Sequence, residues 1–277
     1  MSFSHYPWKW HTLVHVCRRW RQIVFASPRR LDLQLLCTPS SPVRELLGFL
    51  LPIPIMISNW SGTPPPYPTL RLEDGNQVIS AIEQRDRVWW IHLDGLASSL
   101  MEKLATMMHE TFPMLTYVRL WSNDETMPIL PKTFLGGSSP RLQSFWLHGI
   151  PFPELPKLLL STNDLVDLRL EKIPDSGYIS PEAMITGLST STKLEALIID
   201  FRSADPHPLD LTSQQPVSHL TRILLPALAH FRFEGNGGYF DNLVVRIESP
   251  LLVIDHSWHH NNSANRHVFY EAFFSPR

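Results

Sequence analysis

The sequence is short of cysteine, glycine and charge, and it contains no long apolar run. Its two cysteines, Cys17 and Cys37, are too few for a disulfide framework and stand at no metal-binding spacing. Glycine is modest at 12 beside 25 prolines, a balance that predicts many short elements punctuated by turns rather than long helices. With 18% charged and 43% hydrophobic residues, the composition excludes a disordered chain. The most apolar stretch, Leu46 to Ile57, is broken by Pro52 and Pro54, whereas a membrane span needs roughly 20 residues. No apolar segment behind a basic start marks a signal peptide. The expected compartment is intracellular and reducing, cytoplasmic or nuclear, with no membrane partner.

Chemical motifs are missing as well. No G-x-S-x-G elbow, phosphate-binding Walker loop, C-x-x-C or H-E-x-x-H occurs. Gly235-Asn236-Gly237-Gly238 follows a strand pattern but lacks the dinucleotide spacing and reads as a turn. His256, His259, His260 and His267 have no acidic or cysteine ligand at matching spacing. Asp205, His207 and Asp210 lie among prolines and read as exposed loop. No catalytic residue, cofactor or metal is expected, and an enzyme built on a parallel α/β sheet is kept only as a remote alternative.

What is present is apolar bulk and a charge asymmetry. At 277 residues, with nine Trp and fourteen Phe, the chain can bury a sizeable core. Residues 1–30 hold six basic side chains (Lys9, Arg18, Arg19, Arg21, Arg29, Arg30) and no acidic one, leaving 18 basic against 26 acidic in the remainder. A basic head on an acidic body fits nucleic acid or an acidic protein partner. Arg18-Arg19-Trp20-Arg21 is too short a basic cluster to favour nucleic acid.

Residues 10–24 read as an amphipathic helix. Trp10, Leu13, Cys17, Trp20 and Val24 recur at helical spacing on one face, widened by Val14, Val16 and Ile23. Ser27-Pro28 ends it, since the residue before a proline avoids helical geometry. Two tryptophans on so short a helix need a partner surface.

The run Trp10-x-x-Leu13-x-x-Val16-Cys17-Arg18-Arg19-Trp20-Arg21-x-Ile23 resembles the second half of an F-box, whose last helix commonly reads V-C-R-x-W. Ser27 to Pro39 is similar to the segment that follows it in fungal F-box proteins, and Phe233 to Leu252 to their late repeats. The resemblance implies a substrate-recognition subunit of a cullin-type ubiquitin ligase. Trp10, Leu13, Val16, Cys17, Trp20 and Ile23 would meet a Skp-family adaptor. The family's first half, with its Leu-Pro opening, is expected upstream of residue 1, so this remnant alone is expected to bind the adaptor weakly or not at all. The alternative function is an orphan repeat scaffold that binds a protein without recruiting a ligase.

Beyond residue 28 a short pattern returns: leucine, two residues, apolar, one residue, apolar. It reads Leu115-x-x-Val118-x-Leu120, Leu142-x-x-Phe145-x-Leu147, Leu165-x-x-Leu168-x-Leu170, Leu194-x-x-Leu197-x-Ile199 and Leu228-x-x-Phe231-x-Phe233, with an earlier copy ending at Ile91 and Leu93. Successive ends lie 27, 27, 23, 29 and 34 residues apart, mostly in the leucine-rich-repeat range. Between them, Ser99 to Glu102 has the form of a capping box, and Ser180-Pro181-Glu182 supplies a cap, a first-position proline and an early acid.

The expected fold is therefore α/β, an irregular leucine-rich-repeat-like solenoid behind a short helical remnant, with a doubly wound sheet as runner-up. The expected organisation is a partial F-box at 1–28, the solenoid at 29–254 and an irregular tail at 255–277. Alternation along each strand turns one set of side chains outward. That set includes Ile198 and the acids Asp167, Glu171, Asp200 and Glu234, and above all Trp90, His92, Tyr117, Arg119, Trp121, Trp146, His148, Arg169 and Arg232. Trp, Tyr and Arg dominate interface energetics, so those nine, Trp90 to Arg232, form the candidate target-binding face for a protein of unknown identity.

Overall fold

A computed structural model of the chain describes residues 17–26, 34–45, 53–60, 67–202 and 221–258. Nine strands form one parallel sheet: β1 (Leu35–Cys37), β2 (Ile55–Ser58), β3 (Val88–Leu93), β4 (Tyr117–Trp121), β5 (Ser144–His148), β6 (Asp167–Ile173), β7 (Ala196–Phe201), β9 (His230–Gly235) and β11 (Val253–Trp258). They stand side by side in that order. Two-residue strands β8 (Ile223–Leu224) and β10 (Ile247–Glu248) pair separately.

The repeating motif makes these strands for a local reason. Its two closing apolar residues point to one side of the pleat and are buried in every copy, from Ile91 and Leu93 through Phe231 and Phe233. Its opening leucine is fully buried too, at 115, 142, 165, 194 and 228. Four of these leucines sit in a turn, the amide of Leu115, Leu142, Leu194 or Leu228 donating to the carbonyl three residues back. Each such side chain contributes roughly 1.5–3 kcal/mol when taken from water, so the strand copies supply a large, repeated part of the core.

Among the described residues the helices with full bounds are few and short: α1 (Arg18–Ala26), α2 (Asn76–Ile82), α3 (Ser98–Met107), α4 (Leu155–Leu159), α5 (Pro181–Leu188) and α6 (Gly237–Val244). Helices this short are marginal alone, and α2 to α6 persist by burying residues such as Val78, Leu104, Leu159, Ile185 and Leu243 in the shared core. The Ser180 cap forms as expected, its hydroxyl accepting from the Ala183 amide. The capping box at Ser99 does not. Helix α3 starts at Ser98, whose amide is taken by the Asp124 carboxylate. Asn236, read as part of a turn, caps α6 through the Gly238 and Tyr239 amides.

The solenoid expectation is corrected here. The architecture is an α/β fold dominated by a single nine-stranded parallel sheet with few helices. The short motif specifies a buried turn and a strand, and nothing in it fixes the connection that follows. That connection is a ten-residue helix after β3, a 3-10 turn (Phe134–Gly137) after β4 and a five-residue helix after β5, so no constant unit is built. A doubly wound sheet is excluded as well, because that fold reverses its strand order and this one never does.

Candidate functional site

Residues between the buried strand positions, mostly half-buried and exposed at His230 and Arg232, make the second, open face of the sheet. Parallel register aligns them in rows. The first row runs Trp90, Tyr117, Ser144, Asp167, Ala196, His230. The middle row runs His92, Arg119, Trp146, Arg169, Ile198, Arg232. Nearer the strand ends, Trp121 faces His148 and His148 faces Glu171, while Asp200 faces Glu234. The residues expected to form a binding face are thus brought onto one surface.

Their rings are stacked on one another. Trp90 lies flat on Tyr117 at 3.6 Å between centroids, and Trp121 stacks on His148 at 5.0 Å. Trp146 is gripped from the two neighbouring strands, with the Arg119 guanidinium 3.7 Å and that of Arg169 4.8 Å from the ring centre. Its indole N–H is buried without a well-formed hydrogen bond, and its pull is felt at the Glu171 carboxylate. Trp121 departs from expectation. It is only 9% exposed, because Tyr67 packs edge-on against it at 4.9 Å.

Each arginine of the middle row is anchored through Nε. Arg119 donates to Asp94 at 2.9 Å, Arg169 to both Asp167 oxygens at 2.9 and 3.0 Å, and Arg232 to Glu234 at 3.1 Å. Lys172 reaches Asp200 at 3.0 Å. In all four pairs the cation stands outside its carboxylate: side-chain exposures are 13 against 2% for Arg119–Asp94, 34 against 26% for Arg169–Asp167, 51 against 15% for Arg232–Glu234 and 44 against 10% for Lys172–Asp200. These cations thus present N–H donors whose charge a carboxylate already compensates, most openly at Arg232 and Lys172 and least at Arg119.

The carboxylates respond to these surroundings. Burial pushes the Asp94 carboxyl up, but hydrogen bonds and charge from His92 and Arg119 outweigh it and hold the group below its ordinary range. Glu171 is likewise lowered, burial being outweighed by His148, Trp146 and Arg169. Asp200 goes the other way: burial, with help from Glu234, raises it despite Lys172.

Three residues of the site were not singled out in the sequence. Asp94 continues the outward period from His92 and could have been read that way. Tyr67 arrives from a loop with no pattern to place it. Lys172 depends on a break in register between Leu170 and Ile173, where its φ of 51° lies in the left-handed region, a strained conformation for a lysine.

The His92–Asp94 and His148–Glu171 pairs lie 2.9 and 3.3 Å apart and invite comparison with acid–base machinery. The hydroxyl of Ser122, at the end of β4, is buried and donates to the Leu96 carbonyl at 2.6 Å, so it is not presented as a nucleophile. Among the described residues no group of three or more His, Cys, Asp or Glu is placed to hold a metal ion. No helix among them is long and apolar enough to cross a membrane.

On the expected adaptor-binding helix, Trp10, Leu13 and Val16 lie outside the described residues. Helix α1 is described from Arg18 and continues to Ala26, past the expected end at Val24. Cys17 is exposed, as are Trp20 at 47% and Ile23 at 50%, so Trp20 is no part of the core. No protein-family model matches the chain, and no significantly similar protein was found among curated sequences or solved structures.

Proposed function

We propose that this chain is a non-catalytic receptor for another protein, which binds its target on the open face of the sheet. The observation that carries this reading is the outward layer of Trp, Tyr and Arg, stacked and anchored before any partner arrives. Such rigid aromatic and guanidinium groups give up little conformational freedom on binding, and these residue types supply most hot spots. The second half of the proposal is that α1 docks a Skp-family adaptor and so couples the target to a cullin-type ubiquitin ligase. The exposed Trp20 and Ile23 support it, being apolar groups of a helix that stand about half in solvent.

Titration of the chain with a Skp-family adaptor tests that second half. Binding tighter than roughly 1 μM, about −8 kcal/mol, supports ligase recruitment if Trp20→Ala weakens it at least tenfold without lowering the melting temperature. Absence of binding at about a hundred times that concentration removes the adaptor and leaves the chain a scaffold that binds its target alone.

A further inference from the structure

We infer that the open face docks a neutral, proline-rich segment of its partner, extended as a polyproline-II helix and laid across strands β4 to β9. This rests on the reading of that face as a protein-binding surface and names the class of segment it takes.

The first argument is spacing. Arg119, Trp146, Arg169, Ile198 and Arg232 occupy five adjacent strands in one row, so a donor alternates with an apolar side chain. Neighbouring strands are about 4.8 Å apart, which sets the arginines about 9.6 Å apart. A polyproline-II helix advances about 3.1 Å per residue with three residues per turn, so equivalent groups recur at about 9.3 Å. An extended β-segment repeats its face at about 6.8 Å instead. An α-helix could match the row, but its carbonyls are spent internally.

The second argument is chemistry. Among the described residues each arginine keeps at least one terminal amino group without a hydrogen bond: Nη1 of Arg119 and Arg232, and both of Arg169. Because each guanidinium is already paired with a carboxylate, a neutral acceptor suits these donors better than an anion. The backbone carbonyls of a polyproline-II helix are such acceptors, since none is bonded within the helix. Prolines between them would rest on Trp146 and Ile198, the aromatic and apolar contacts this mode of recognition uses.

The third argument is a precedent inside the molecule. Tyr67 belongs to the stretch Pro64-Pro65-Pro66-Tyr67-Pro68. It packs on Trp121 and brings its hydroxyl to within 3.5 Å of Arg119 Nη2. Tyr67 thus already meets an aromatic ring and an arginine beside the Arg119 end of the row.

The experiment titrates the full chain with four fluorescent probes: a twelve-residue peptide of Pro-Pro-Tyr repeats, the same peptide with alanine for proline, a glutamate-rich peptide of equal length, and a single-stranded thymidine oligonucleotide. Variants Arg169→Gln and Ile198→Glu are compared with wild type after their melting temperatures are checked. The expected result is that the proline peptide binds at least tenfold tighter than the other three, and that each variant weakens it at least tenfold. Preference for the glutamate or alanine peptide, lost in the variants, overturns the proline-rich class while leaving the face a protein-binding surface. Preference for the oligonucleotide overturns both readings. Proline-peptide binding that both variants leave unchanged places the peptide elsewhere and overturns the inference, as does failure of all four probes to bind.

Discussion

Arg119 and Arg232 stand in the same row of the open face, and each is held through Nε by a carboxylate from a flanking position. Around Arg119 the arrangement is dry. Asp94 is buried, accepts from Arg119, lies 2.9 Å from His92 Nε2, and has its own amide tied to Asn59. Around Arg232 it is wet, with half of the arginine in solvent. Similar chemistry at the two ends thus carries different weight. A buried pair is costly to break because it leaves an unpaired charge away from water. An exposed pair contributes little, since solvent replaces the lost partner.

The largest expected effect follows at the dry end. Asp94→Ala strands Arg119 and His92 without their acceptor and should cost roughly 3–5 kcal/mol in urea denaturation at neutral pH. The pH dependence has a definite sign. Asp94 is held below its unfolded value near 3.9, so its contribution is present above that value and is lost as pH falls through the folded pKa. The gap between wild type and variant should therefore close in acid. A gap that stays constant to pH 2 would show that the loss is packing rather than charge.

Trp146→Ala comes next. The ring is half-buried between Arg119 and Arg169, so the variant loses two cation–π contacts and part of an apolar surface, about 2 kcal/mol together. A loss above about 4 kcal/mol would make the ring core, as in a large-to-small core substitution, and would remove it from the centre of a binding face. Asp200 separates the two ends by sign. Its pKa is raised by burial and by Glu234, so the stability linked to its protonated form is complete below the unfolded value and is lost as pH rises through the folded one. Asp200→Asn should match or exceed wild type at pH 7, and its advantage should vanish at pH 3. Destabilisation at pH 7 would mean that Lys172 outweighs the burial cost.

These differences mark how far the sequence could be read. Strand positions were legible because alternation is local: Phe145 and Leu147 must face one way if Trp146 faces the other. The open-face residues were legible for the same reason, and parallel register then set Arg119 beside Trp146. The overall architecture was not, because a leucine-x-x-apolar motif encodes the strand and its preceding turn but leaves the connection free. Helix α1 shows a different limit. Periodicity identified an apolar side but could not say that Trp20 would lie in solvent, since burial depends on what packs against a helix. Depth was equally hidden: Asp94 and Glu234 are both acids at strand ends, and Asn59, which bonds the Asp94 backbone from outside the strand, has no counterpart in the repeating motif.

The smallest effect is expected at the wet end, and it is the sharpest check on the comparison. Arg232→Ala removes a guanidinium that is half in solvent and leaves Glu234 with Lys172 at 4.0 Å, so the carboxylate keeps a cation nearby and water around it. The change should be within about 0.5 kcal/mol, as for other exposed pairs. It should shrink further in 1 M salt, where the screening length falls from about 10 Å to about 3 Å. The cost of Asp94→Ala should hardly respond to the same salt, because its charges are shielded from solvent. Measuring both variants at low and high salt gives four free energies. If Arg232→Ala costs more than about 2 kcal/mol, or if both variants respond equally to salt, burial is not what distinguishes the two ends. In that case the middle row would act as one coupled lattice of arginines and aromatics, with Arg232 bound into it through Ile198 and Arg169.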